Sequence, residues 1–122
     1  MKIAILEDSE VRVTAFQDKF PDAFITSNPD EFVNFCRDNS DDLVAVFFDH
    51  DLEFFVWTPY KQEITGFHAA RAAVDVLDKN KTSVVVHSSN VVGSQKIYNV
   101  FSDAGFDVHK LEFPKCLKVN VG

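Results

Sequence analysis

Leu43-Val44-Ala45-Val46-Phe47-Phe48 is apolar at every position, and Asp49-His50-Asp51 follows it directly. A continuous apolar run closed abruptly by charge reads as a strand covered on both faces, which calls for helices on either side of a parallel sheet. The plan repeats outward. Toward the N-terminus the pattern predicts a strand over residues 2–6 and a helix over 10–20 with Val11, Ala15 and Phe16 at helical spacing. A brief strand over 23–26 follows, and then a helix opened by Asn28-Pro29-Asp30-Glu31 that groups Phe32, Phe35 and Cys36. Ser9 stands where it can cap the first helix, and Pro21 where it can stop it. Toward the C-terminus a third helix is expected over 66–77, a strand over 83–86, a fourth helix over 92–104 ended by Gly105, and a last strand over 106–111.

Two stretches break the rhythm. Residues 52–65 mix Phe54, Phe55, Trp57, Pro59 and Tyr60 with Lys61 and Glu63, the composition of an enlarged loop that packs its own aromatics. Lys115 to Gly122 is too short for a covering helix and rich in valine, so a small strand is expected there. Strands alternating with helices along 122 residues place the chain in the α/β class as a single domain over 1–122.

Composition narrows the function. The 46% hydrophobic content, with thirteen phenylalanines, is that of a packed core. A formal charge of -7, with Lys110, Lys115 and Lys118 as the densest basic group, sets bulk nucleic acid aside as a partner. The start, Met1-Lys2-Ile3-Ala4-Ile5-Leu6-Glu7-Asp8, is too short in apolar length for a signal peptide, and no run reaches the ~18 apolar residues of a spanning helix. A cytoplasmic protein without membrane attachment is expected. Cys36 and Cys116 lie outside any zinc or redox spacing and read as idle thiols.

In an open parallel sheet, ligands bind outside the carboxyl ends of the strands. Three of those ends are polar here: Glu7-Asp8, Asp49-His50-Asp51 and His87-Ser88-Ser89-Asn90. Carboxylates gathered on one rim repel until one protonates or a cation intervenes, and magnesium, which takes oxygen ligands and keeps waters that a phosphate replaces, suits Asp8 and Asp49 with Glu7 or Asp51. His50 or His87 is placed to act as general acid or base. Ser88 and Ser89 can donate to a phosphoryl oxygen, Asn90 can join them or cap the fourth helix, and Arg12 and Lys110 can offset phosphate charge. His68 and His109 read as structural.

Glu7-Asp8, Asp49, Gly66, Ser88 and Lys110, in that order, resemble the response-regulator receiver domain over residues 1–114. The resemblance implies a flavodoxin- or receiver-like three-layer sandwich with sheet order 2-1-3-4-5, here with the final helix missing or replaced by a short C-terminal strand. It also implies magnesium on Glu7 and Asp8, a phosphoryl acceptor at Asp49, a sensing hydroxyl at Ser88 and a phosphate-holding Lys110. The chain departs from ordinary receivers in the His-Asp after Asp49, the enlarged loop before Thr65-Gly66 and the absence of proline directly after Lys110. Leu6-Glu7-Asp8 with Arg12, Asp49-His50-Asp51-Leu52, Thr65-Gly66 and His87-Ser88-Ser89-Asn90 resemble instead the cyclic-phosphate-processing branch, found in bacteria and their phages. Three functions follow from these residues. One is a metal-dependent phosphoesterase acting on a phosphate-containing small molecule or RNA end, with Asp49, His50, Asp51, His87 and Ser88 as catalytic candidates. The others are a non-catalytic interaction module, with a homodimer as one form it could take, and a phosphoacceptor receiver.

Overall fold

The computed structural model describes residues 1–52, 55–57 and 61–119, with 55–57 and 61–63 as backbone alone. Five parallel strands form the sheet: β1 (Lys2–Leu6), β2 (Phe24–Thr26), β3 (Leu43–Phe48), β6 (Ser83–Val86) and β7 (Val108–Lys110), in the order β2-β1-β3-β6-β7. Counting sheet strands alone, this is the expected 2-1-3-4-5. Between β3 and the third helix, β4 (Phe55–Trp57) and β5 (Lys61–Glu63) form a separate antiparallel pair, so the enlarged loop contains a hairpin. Its expected aromatic packing lies outside the described residues.

The strands bury both faces. Leu6, Val46, Phe48, Val84 and Val86 pack with α2 (Pro29–Asp38), α3 (Gly66–Ala73) and α4 (Val91–Asp103), whose Phe32, Ala70, Ile97 and Phe101 are buried among them. The alternate residues Ile5, Ala45, Phe47 and Val85 meet Phe16 and Phe20, carried on and just after α1 (Glu10–Lys19), and Cys116. No helix among the described residues is long and apolar enough to cross a membrane.

Among the described residues no α-helix follows β7, and that side of the sheet is covered by the last segment, where Phe113, Leu117 and Val119 pack beside the buried Cys116. Residues Lys115–Lys118 of the stretch expected as a small strand wind into a 3-10 helix, and residues 120–122 of it lie outside the described residues. The Val119 N–H bonds to the Cys116 carbonyl at 3.4 Å, so the backbone is satisfied within the turn instead of by a sheet edge. The third helix also ends at Ala73, four residues earlier than expected, and residues 74–77 continue as turns held on the Ala73 carbonyl.

Local chemistry sets the helix starts. Asn28 Oδ1 accepts from the Asp30 and Glu31 N–H groups ahead of α2, and Thr65 with His68 forms a capping box on α3. Ser9 makes no side-chain cap; Glu7 Oε2 takes the Ser9 N–H at 3.1 Å. Val11, expected on the apolar face of the first helix, is 78% exposed, and Phe16 is the residue that α1 buries. Gly105, at φ 87°, ends α4 in the left-handed conformation that glycine takes without strain.

Candidate functional site

Strand register creates the site. Leu6 pairs with Phe48 and Phe48 with Val86, so the residues that follow them, Glu7, Asp49 and His87, form a row across three adjacent strands. The ladder runs one step further, with the Asp49 N–H on the Leu6 carbonyl at 3.1 Å and the His87 N–H on that of Phe48 at 3.0 Å. Side-chain alternation directs this row to the α1 face, and a carboxylate oxygen from each acid and a ring nitrogen of His87 come within 4.8 Å of one another. All three residues are buried.

The Glu7 carboxylate has about four acceptor positions. Oε2 takes the N–H groups of Asp8 and Ser9 at 3.0 and 3.1 Å; Oε1 takes His87 Nε2 at 3.1 Å, with the Arg12 guanidinium at 3.8 Å. Burial works to raise the Glu7 pKa, but the bonds from His87 and Ser9 outweigh it and hold it at about 2. Asp49 goes the other way: burial first, then the charge and hydrogen bond of Glu7 and the charge of Asp8, push its carboxyl up to about 8. Held side by side, the two acids are driven apart, Glu7 toward its ionised form and Asp49 toward its protonated one.

His87 lies beneath the rim and not on it. It has no exposed surface, its ring meets Phe16 edge-on at 5.1 Å, and burial lowers its pKa. A neutral ring beside an ionised Glu7 must donate from Nε2, which leaves Nδ1 buried without a partner. The sequence offered His87 as a general acid or base; the structure places it under the strand ends, in contact with Glu7. Its one engaged nitrogen serves Glu7, and aromatic rings cover the imidazole.

A second group gathers where α4 begins. His50 Nδ1 lies 2.8 Å from Asp51 Oδ1, and Asn90 Nδ2 donates to the same oxygen at 3.1 Å, while Asn90 Oδ1 accepts the Gly93 N–H at 2.8 Å. Asn90 thus caps α4 and also joins the network. The His50 bond, aided by Asn90, lowers the Asp51 pKa against slight burial. Asp51 is an exposed partner of His50 and stands outside the buried Glu7–Asp49–His87 row, which leaves Glu7 and Asp8 as the acids grouped with Asp49.

The phosphate-binding candidates divide. Ser88, Ser89 and Lys110 line a cavity of about 210 Å³. Ser88 Oγ accepts the Asn90 N–H at 3.1 Å; the Lys110 ammonium is held by Gln95 at 2.6 Å and lies over the Tyr98 ring. Arg12 faces Glu7 and stacks on Phe113, 5.3 Å from the ring centre. Beside Glu7 and Asp8 a larger cavity of about 410 Å³ opens toward Thr14, Thr26 and Ser27, enough room for a small ligand.

Two glycines shape the site. A Cβ on Gly66 would sit 1.7 Å from the Asp49 carbonyl oxygen, so glycine alone lets α3 start against the end of β3. A Cβ on Gly93 would sit 2.3 Å from His50 Cγ. Sequence reasoning passed over Gly93; an isolated glycine in the first turn of a helix was the available signal.

The family model for the cyclic-phosphate processing receiver domain matches residues 3–103. No curated protein matches the chain in sequence. Among solved structures, the signal receiver domain of a protein named as a Luxo repressor, from Vibrio parahaemolyticus, aligns with a TM-score of 0.60 at 17% identity. The alignment covers 98% of this chain and 79% of that one, a likeness of fold alone.

Proposed function

This chain belongs to the cyclic-phosphate processing receiver domain family, and from that premise we propose that its strand-end pocket binds a divalent cation and a phosphate-containing ligand and hydrolyses a phosphoester, a cyclic phosphate first among them. The observation that supports the reading is the buried row of Glu7, Asp49 and His87, whose oxygens and ring nitrogen lie within 4.8 Å of one another beside Asp8. Two buried acids that repel each other mark a place where a cation relieves the repulsion.

The donor set fits magnesium. Glu7, Asp8 and Asp49 supply hard oxygen donors, and three of the four Glu7 acceptor positions are filled by protein donors, so the one that takes the Asp49 proton is left for the ion. When bound, the ion would offset phosphate charge and polarise a phosphoryl oxygen. The protein's own residues do the rest. His87 and the Ser9 N–H keep Glu7 ionised and fixed, with the Arg12 guanidinium 3.8 Å away; around the larger cavity Thr14 and Thr26 donate within the protein, and the Ser27 hydroxyl offers a hydrogen bond to a polar ligand such as an RNA end.

The test is hydrolysis of a nucleoside 2′,3′-cyclic phosphate with and without magnesium, together with calorimetric titration of magnesium alone. Turnover that requires the ion and is lost in Asp49→Asn is expected. A chain that binds no magnesium and turns nothing over is an interaction module instead, and beryllofluoride binding dependent on Asp49 without turnover identifies a phosphoacceptor.

A further inference from the structure

Arg12 and Lys110 were both expected at a phosphate, and the sheet sends them to different layers. Lys110 pairs with Val86, and Val86 with Phe48, whose side chains pack in the α2–α3–α4 layer. Residues paired across neighbouring strands point to the same face, so Lys110 is directed away from the row of Glu7, Asp49 and His87. Its ammonium is taken up on α4, by Gln95 Oε1 at 2.6 Å and the ring of Tyr98. Arg12 goes the other way. It stands four residues before Phe16 on α1, on the same face and one turn nearer the helix N-terminus. Phe16 meets the rings of His87 and Phe113 at 5.1 and 5.8 Å; the turn above it brings the Arg12 guanidinium 3.8 Å from Glu7 Oε1 and 5.3 Å from the centre of the Phe113 ring. Its charge also reaches Asp49, where it works against burial and toward the ionised carboxylate. The contact with Glu7 is longer than a hydrogen bond, so the N–H fork of the guanidinium is not spent on it, and 31% of the side chain stays open to solvent.

We propose that Arg12 is the residue that grips the phosphate in this pocket, through its guanidinium fork, and that Lys110, to which the receiver resemblance gives that duty, serves α4 instead. This inference rests on the phosphoester reading and deepens it. A phosphate entering beside Glu7, Asp8 and Asp49 meets three carboxyl groups, so it needs a fixed positive charge of the protein's own in addition to any ion those acids hold. Among the described residues Arg12 is the basic side chain that faces the row. A guanidinium suits the task because its planar fork donates two parallel N–H bonds to a pair of oxygens, whereas an ammonium acts as a point charge. A cyclic phosphodiester keeps two oxygens outside its ring, the pair that such a fork takes. Stacking on Phe113 limits the swing of the long side chain before the ligand arrives, so less freedom is lost on binding.

The test titrates two ligands into the full chain by calorimetry, magnesium alone and adenosine 3′-monophosphate with magnesium present, alongside hydrolysis of the 2′,3′-cyclic phosphate. In wild type the Arg12 Nε–H signal in nitrogen-15 NMR moves when the nucleotide is added. Arg12→Met keeps an apolar stem over Phe113 and removes the fork. Its Kd for the monophosphate and KM for the cyclic phosphate rise about 10- to 100-fold, the range of a lost charge-assisted hydrogen bond. Magnesium alone binds it as tightly as wild type or more tightly, because a competing positive charge has gone. Arg12→Lys keeps the charge without the fork and recovers only part of the nucleotide affinity; Lys110→Met binds the nucleotide as wild type does. Weaker magnesium binding in Arg12→Met would mean that Arg12 only props Glu7, and it overturns this inference alone. Nucleotide affinity kept in Arg12→Met, or lost in Lys110→Met, does the same. A wild-type chain that turns over no cyclic phosphate overturns the phosphoester reading, while binding of the monophosphate still decides the role of Arg12; a wild-type chain that binds no monophosphate either overturns both.

Discussion

Replacing Asp49 by asparagine should make the metal-free protein more stable, although it removes the central side chain of the site. The Asp49 pKa rises from 3.8 to about 8 on folding, so at pH 7 the folded chain carries a proton that the unfolded chain releases. Protonating an ordinary aspartate three pH units above its pKa costs about 4 kcal/mol. Asparagine is neutral at no such cost, and its amide donates to Glu7 where the acid proton did. A raised carboxyl stabilises below its unfolded pKa, and that contribution is lost as pH climbs through the folded one. Glu7, lowered from 4.5 to about 2, loses its own contribution only at lower pH. Between about pH 4.5 and 8, Asp49 therefore governs the difference. The Asp49→Asn gain is expected to be near zero at pH 4.5 and about 2–4 kcal/mol at pH 7.5, a shift of about 2 M in the urea midpoint for a slope near 1.5 kcal/mol/M. Magnesium should narrow the gap by stabilising the wild type alone. Equal gains at both pH values, or a variant weaker than wild type at pH 7.5, would refute the shared-proton account.

His87→Leu keeps the apolar contacts but strips Glu7 of its Nε2 donor; about 3 kcal/mol should be lost, and carbon-13 NMR should show the Glu7 pKa rising. In Gly66→Ala the new methyl group meets the Asp49 carbonyl, so a loss above about 4 kcal/mol is expected, and a thermal midpoint like that of wild type would contradict the close approach. Cys36 and Cys116 are buried, with thiols pushed up to about 12 by burial; an aromatic disulfide reagent should label neither in the folded chain and both in denaturant.

Much of the architecture was written locally. The apolar run before Asp49, the flanking amphipathic stretches and the caps at Asn28 and Gly105 specify strands and helices through contacts within a few residues, so the α/β sandwich and the polar strand ends were legible before any coordinates. The short strand expected after Pro114 was not, because what decides that segment is the open side of the sheet waiting for Cys116 and Leu117, and valine content carries no knowledge of it. The division of labour between the histidines was likewise hidden. His50 and His87 look alike in sequence, each within two residues of the end of an apolar strand and followed by a polar residue. Register across three strands, fixed by backbone pairing between residues about forty positions apart, buried one against Glu7 and left the other on the rim beside Gly93. Residue type told which chemistry was available; only long-range pairing chose which side chain faces water, because burial is a property of neighbours that the chain brings together by folding.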